Sequence, residues 1–168
     1  MKMKDRKGFT LVELLAVVVI MAIIALIATP NIISLLERSK RSDFVSDAKE
    51  FASKANYMFK RMEQKGYDSL FTSDDPTNCA YKIKLVDIEG VNNLDDPYGG
   101  VYKDSESYVC FKSYTPTSGI TQYNMAIYLK GCKESASQSK CYTVGNNSGG
   151  EVLVSELDIS KVEGPTES

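Results

Sequence analysis

The sequence predicts an α+β protein, in which one long N-terminal helix packs by its second half on an antiparallel sheet of about four strands. Three observations lead there. Residues 9–28 are almost wholly apolar, with no polar side chain from Leu14 to Ala28. Phe44, Ala48, Phe51, Ala55, Met58 and Met62 then recur at helical spacing and share one face. After Gly66 the pattern changes to short alternating segments separated by turn-rich stretches.

The first element runs from Phe9 to Ala28, 20 residues, about the length that crosses a bilayer as a helix. An isolated span has to be helical, because only then do its backbone groups satisfy one another. Lys2, Lys4, Arg6 and Lys7 stand before it against one Asp5. Such a cluster stays cytoplasmic, so the body is expected outside. A secretory signal peptide would have a shorter apolar core and a small-x-small end, whereas Ala25 and Ala28 are three apart and the helical pattern runs on. A plain anchor explains the length but not Glu13. Pro30 cannot donate to the Leu26 carbonyl, so a kink is expected there. Beyond it, residues 30–66 read as an amphipathic helix, with Lys40, Arg41, Asp47, Lys49, Lys54 and Lys60 largely off the apolar face and Gly66 as its stop. Unbroken from Phe9 to Lys65, such a helix would be ~85 Å long, a stalk more than a core element.

The segments 80–88, 106–113, 121–131 and 140–146 read as four strands of a meander. Residues 92–100 are turn-rich between the first two. The sheet domain is thus expected over 67–162, and the tail 163–168 is expected to be disordered.

Composition excludes several functions. Residues 9–168 hold 16 Lys and Arg against 21 Asp and Glu, a formal charge of −5. An acidic body is a poor nucleic-acid binder. The chain has no His, no Gly-rich phosphate loop and no nucleophile elbow, and acidic pairs such as Asp74–Asp75 lie in loop composition. No enzyme activity and no cofactor are expected. The four cysteines include no CxxC, which disfavours a zinc site. An even count in a body outside the membrane points to two disulfides rather than free core thiols, with three connectivities open.

The stretch "KGFTLVELL" resembles the processing signal of the type IV pilin and type II secretion pseudopilin superfamily: a short basic leader, Gly8, an aromatic Phe9 and Glu13 four residues later. Pro30 matches that family's proline in the anchoring helix. The match is specific over residues 6–30 and is one of general architecture beyond, where the body resembles the pilin roll. The short leader and the "DPYGG" turn lean towards Gram-positive members. The resemblance implies that a prepilin peptidase cuts between Gly8 and Phe9, removing the leader 1–8, and N-methylates Phe9. Gly8 suits that cut, since a residue without a side chain enters a tight cleft in extended form. Segment 9–29 would then serve as membrane anchor and filament-core helix. A carboxylate in hydrocarbon costs ~2.5–3.5 kcal/mol at the helix centre. Glu13 lies near the helix start, and the resemblance pairs it with the Phe9 amine of a neighbouring subunit.

Within that roll, Cys132 and Cys141 flank eight mostly polar residues between the last two strands, and their closure would clamp a hairpin base. Cys79 with Cys110 would tie the start of the first strand to the second. The Asp95–Gly100 stretch "DDPYGG" resembles a turn of major pseudopilins, which makes Asp95 and Asp96 weak calcium candidates against the simpler reading of a Pro-fixed turn. EF-hand spacing is absent, so no metal is expected. Asn146–Ser148 fits a glycosylation sequon.

The function implied is a structural subunit of a type IV pilus or related filament, for adhesion, motility or surface interaction. Its partners would be copies of itself, other pilins, the prepilin peptidase and the assembly platform protein, with no nucleic acid. It would sit in the cytoplasmic membrane, N-terminus inside, before joining a filament on the cell surface. The alternatives are a pseudopilin of a secretion or DNA-uptake machine and a membrane-anchored extracellular binding domain that never polymerises.

Overall fold

The computed structural model describes residues 10–65, 79–91, 93–114, 116–117, 119–120, 122–135, 139–145 and 150–167. The chain forms two compact units, Met1–Ser39 and Lys40–Ser168. Helix α1 covers Leu11–Lys65. Gly66, the expected stop, and the sequon 146–148 lie outside the described residues.

In the second unit, α1 buries a single stripe. Phe44, Val45, Ala48, Phe51, Ala52, Ala55 and Phe59 are all buried, spaced as one helical face requires. Ala48, Ala52 and Ala55 are small enough to let the sheet approach closely. The sequence reading placed Met58 and Met62 on this face. They are only partly buried, at its margin, and Phe59 takes the inner position instead. Phe59 stacks on Phe111 at 4.3 Å between ring centroids and meets Tyr123 edge-on at 5.1 Å.

Among the described residues, seven strands form the sheet: β1 Tyr81–Lys84, β2 Val101–Tyr102, β3 Tyr108–Tyr114, β4 Gln122–Lys133, β5 Lys140–Val144, β6 Val152–Leu153 and β7 Val162–Glu167. The main path runs β1-β3-β4-β5-β7, and every pairing is antiparallel. β4 is the spine. Along one edge it pairs first with β3 and then with β2, at Tyr102↔Gly131 and Val101↔Cys132. Along the other it pairs with β6 at Ala126 and Ile127, and with β5 from Leu129 to Lys133.

Side chains alternate across this sheet. Ile83, Val109, Phe111, Ile127, Leu129 and Val144 join the helix stripe in the main core. Cys110 and Ala126, on the opposite parity, form a smaller cluster with Cys79, against which Tyr108 and Leu153 pack.

Three expectations are corrected. Among the described residues the sheet has seven strands rather than about four, because β2 and β6, at two residues each, are too short to show alternation. The segment 80–88 ends as a strand at Lys84 and turns into a 3-10 helix at Leu85–Asp87. Residues 163–167 are not a disordered tail, and Ser168 lies outside the described residues. Val162–Glu167 pairs with β5, from Val144↔Val162 to Lys140↔Glu167, around an irregularity between Cys141 and Thr143. Arg41 also donates to the Val162 carbonyl at 3.1 Å, which ties β7 to α1. β7 is the terminal strand, so Pro165, which lacks an N–H, is tolerated in it.

The linker into β6 is held by charge. Glu151 lies 2.8 Å from Lys112 Nζ and accepts from the Tyr108 hydroxyl at 3.2 Å. Burial alone would raise the Glu151 carboxyl, but the Lys112 hydrogen bond, its backbone, the Lys112 charge and Tyr108 together hold it below the usual 4.5. Burial and Glu151 push the Tyr108 hydroxyl up to about 12. A lowered carboxyl stabilises the fold fully above its unfolded value, and that contribution is lost as pH falls through the folded one. Glu151→Gln is therefore expected to lower the thermal midpoint at pH 7. The difference should vanish well below the ordinary carboxylate range, as melts across pH will show.

Candidate functional site

In the first unit the chain presents apolar surface on every side of α1. Among the described side chains, each large apolar residue from Leu11 to Leu36 is at least half exposed, with Leu11 at 81% and Leu26 at 82%. Soluble monomers rarely expose a contiguous apolar surface of that extent, so it marks a contact with lipid or with other helices. By length and composition, no single helix among the described residues is long and apolar enough to cross a membrane. The pieces Leu11–Ile27 and Ile32–Gln64 meet that test only together.

The helix start is built from two side chains. The Thr10 backbone N–H and hydroxyl both donate to Glu13 Oε2, at 2.9 and 3.0 Å. Glu13 N–H donates back to Thr10 Oγ1 at 3.3 Å. This is a capping box, which satisfies two of the backbone donors that a helix start leaves without partners. A carboxylate here also faces the positive end of the helix dipole. The sequence reading assigned Glu13 only to a neighbour's amine and missed this local role, although Thr10-x-x-Glu13 is the signature of the motif. Glu13 Oε1 takes part in none of these three hydrogen bonds.

Gly8 and Phe9, the expected cleavage and methylation positions, lie outside the described residues. Pro30 falls within the helical span, but its side chain is likewise not described. The structure brings the cysteines together as Cys79–Cys110 and Cys132–Cys141. The second bond joins directly paired residues of β4 and β5, and the first ties Cys79, two residues before β1, to Cys110 of β3.

Asp95 and Asp96 lie in a hairpin from Leu94 to Tyr102. Tyr102 N–H donates to the Leu94 carbonyl at 3.0 Å, and Asp95 bridges Val101. Asp96 Oδ1 accepts from the N–H groups of Tyr98 at 2.7 Å and Gly100 at 3.1 Å. Pro97 follows Asp96, and Gly99 takes φ +79°, the left-handed conformation that glycine adopts without strain. Gly131 of β4 must be a glycine for this turn to dock, since a Cβ there would stand 2.6 Å from Asp96 Oδ2. Among the described residues, no three His, Cys, Asp or Glu gather closely enough to hold a metal ion.

A long helix capped by Glu13, apolar on all sides and continued by an amphipathic half that carries an antiparallel sheet, defines a protein that anchors or assembles through its N-terminus. Residues 3–29 match the family model for the prokaryotic N-terminal methylation motif. That match supports a type IV pilin-like or pseudopilin-like prepilin. No curated protein and no solved structure matches the chain.

Proposed function

We propose that the chain is the precursor of a structural filament subunit, a pilin, rather than an enzyme. The observation that carries this reading is the helix of the first unit, exposed and apolar around its circumference and lying largely within the stretch that matches the methylation motif. Such a surface is stable in lipid before assembly and among like helices after it. The leader 1–8 is removed between Gly8 and Phe9, Phe9 is N-methylated, and Pro30 lets the helix bend. The freed Phe9 amine of one subunit then meets Glu13 of another. Copies of the chain and other pilins are the lateral partners, with the prepilin peptidase and a platform protein acting before and during extraction. The prepilin sits in the cytoplasmic membrane, and the mature chain sits on the cell surface, where the sheet domain mediates adhesion or other surface contacts.

Shearing cells tests this. The mature chain should appear in the fibre fraction, shortened by the leader and carrying one added methyl group by mass, only when the peptidase is active. Retention in the membrane regardless of the peptidase would favour the non-polymerising anchor. Fibres that form only on overproduction of a secretion machine would favour the pseudopilin.

A further inference from the structure

We propose that the groove between α1 and the corner after β1 binds a short peptide with both termini free, its ammonium end held by Asp87 and Glu89 and its carboxylate end by Arg61. This inference concerns the sheet domain alone and stands whether or not the chain forms filaments.

The groove has a volume of about 430 Å³, within the ~300–1,000 Å³ of small-molecule sites. One wall is α1, which contributes Lys54, Tyr57 and Arg61. The other is the 3-10 turn Leu85–Asp87 and the residues after it, which contribute Asp87 and Glu89. Ile88, which is buried, and Met58, which is partly buried, supply apolar surface between the charged groups.

The charges sort by wall. Lys54 Nζ is held by Glu50 on its own helix at 2.8 Å, which leaves Arg61 as the cation open to a ligand. Its guanidinium lies over the ring of Tyr57, 5.7 Å from the centroid. Tyr57 is 64% exposed, so ring and guanidinium together present one surface to the groove. Among the described residues, no ion pair crosses from this wall to Asp87 or Glu89. Opposite charges therefore line a single groove without meeting.

That arrangement selects the ligand. A neutral molecule would cover charged groups without satisfying them, which costs free energy. A simple anion would answer Arg61 but meet two carboxylates, and a simple cation would answer the carboxylates but meet Arg61. A molecule with an ammonium at one end and a carboxylate at the other answers both walls. An amide-linked backbone with small side chains between those ends suits the apolar surface of Met58 and Ile88.

The test follows backbone NMR signals of the full-length chain in detergent micelles as L-alanyl-L-alanine is added. The free dipeptide should shift the Tyr57, Ile88 and Glu89 signals saturably, and less so as salt is raised, because the charges are exposed. N-acetyl-dialanine and dialanine amide, each lacking one charge, should bind several-fold more weakly. Arg61→Gln should abolish the advantage of the free carboxylate and keep that of the free amine. Asp87→Asn combined with Glu89→Gln should do the reverse. All three side chains are exposed, so the variants keep the fold, and the capped dipeptides test the native chain in any case. Absence of a saturable shift with the free dipeptide, or equal binding of all three dipeptides, would overturn the proposal. Glucose or inorganic phosphate shifting the same signals as strongly would also overturn it, assigning the groove to a glycan or an anion.

Discussion

Glu13→Val is expected to leave the chain cleaved and inserted in the membrane, yet absent from the sheared fibre fraction. Glu13→Val removes both the capping of its own helix and the charge that the proposed assembly offers to a neighbour's Phe9 amine. Glu13→Gln separates them. Glutamine also serves at the third position of a capping box, so the helix start survives while the charge does not. A hydrogen bond to a charged group contributes about 1.5–3 kcal/mol, or roughly ten- to a hundredfold per subunit contact. If register depends on the charge, Glu13→Gln should deplete the fibre fraction nearly as far as Glu13→Val. Normal incorporation of Glu13→Gln, alongside failure of Glu13→Val, would assign the whole effect to the cap.

The second large effect is expected at Phe44. It is fully buried, and its ring meets those of Tyr98 at 6.2 Å and Tyr102 at 5.3 Å. Phe44→Ala removes a ring around which helix, hairpin and β2 converge, and the sheet cannot collapse onto the gap without moving a backbone pinned by Gly131. The expected loss is about 3–5 kcal/mol, set against a total of about 5–15 kcal/mol for a domain. Tyr57 is the control. It lies on the same helix but is 64% exposed, and Tyr57→Ala should stay within about 0.5 kcal/mol. Equal losses in the two variants would mean that the helix does not dock through the Phe44 face. Chemical denaturation followed through tyrosine signals measures both.

Much of this architecture is legible in the sequence because its signals are periodic. Phe44, Ala48, Phe51 and Ala55 repeat at helical spacing and are all buried. The strands β3, β4 and β5 are each five or more residues long and fall close to the segments read for them. What escaped lacks periodicity. β2 and β6 are two residues each and exist only through β4. β7 is written in Glu, Gly, Pro and Thr, a composition that reads as tail, and it becomes a strand because β5 offers it an edge. The candidate site was legible unevenly. The apolar run and the awkward placement of Glu13 stand out, and so does Thr10 three residues before it, yet a strong intermolecular explanation for Glu13 hid the local one. The Asp47–Tyr102 contact joins residues 55 apart, and no local pattern announces it. The turn at Asp96 is plain from Asp-Pro-Tyr-Gly-Gly, but its burial is not, since that depends on a glycine in β4.

The two rims of the sheet bear on how copies of this protein can join. β1 is four residues long and carries Lys82 and Lys84, while β7 carries Glu163 and Glu167 around Pro165. Short, charged and proline-interrupted rims resist strand-by-strand accretion. A fold with such rims does not readily polymerise as amyloid does. In the filament proposed above, growth would fall to the apolar helix at the other end of the chain, and with it the separation between a fibre that can be built and dismantled and an aggregate that cannot.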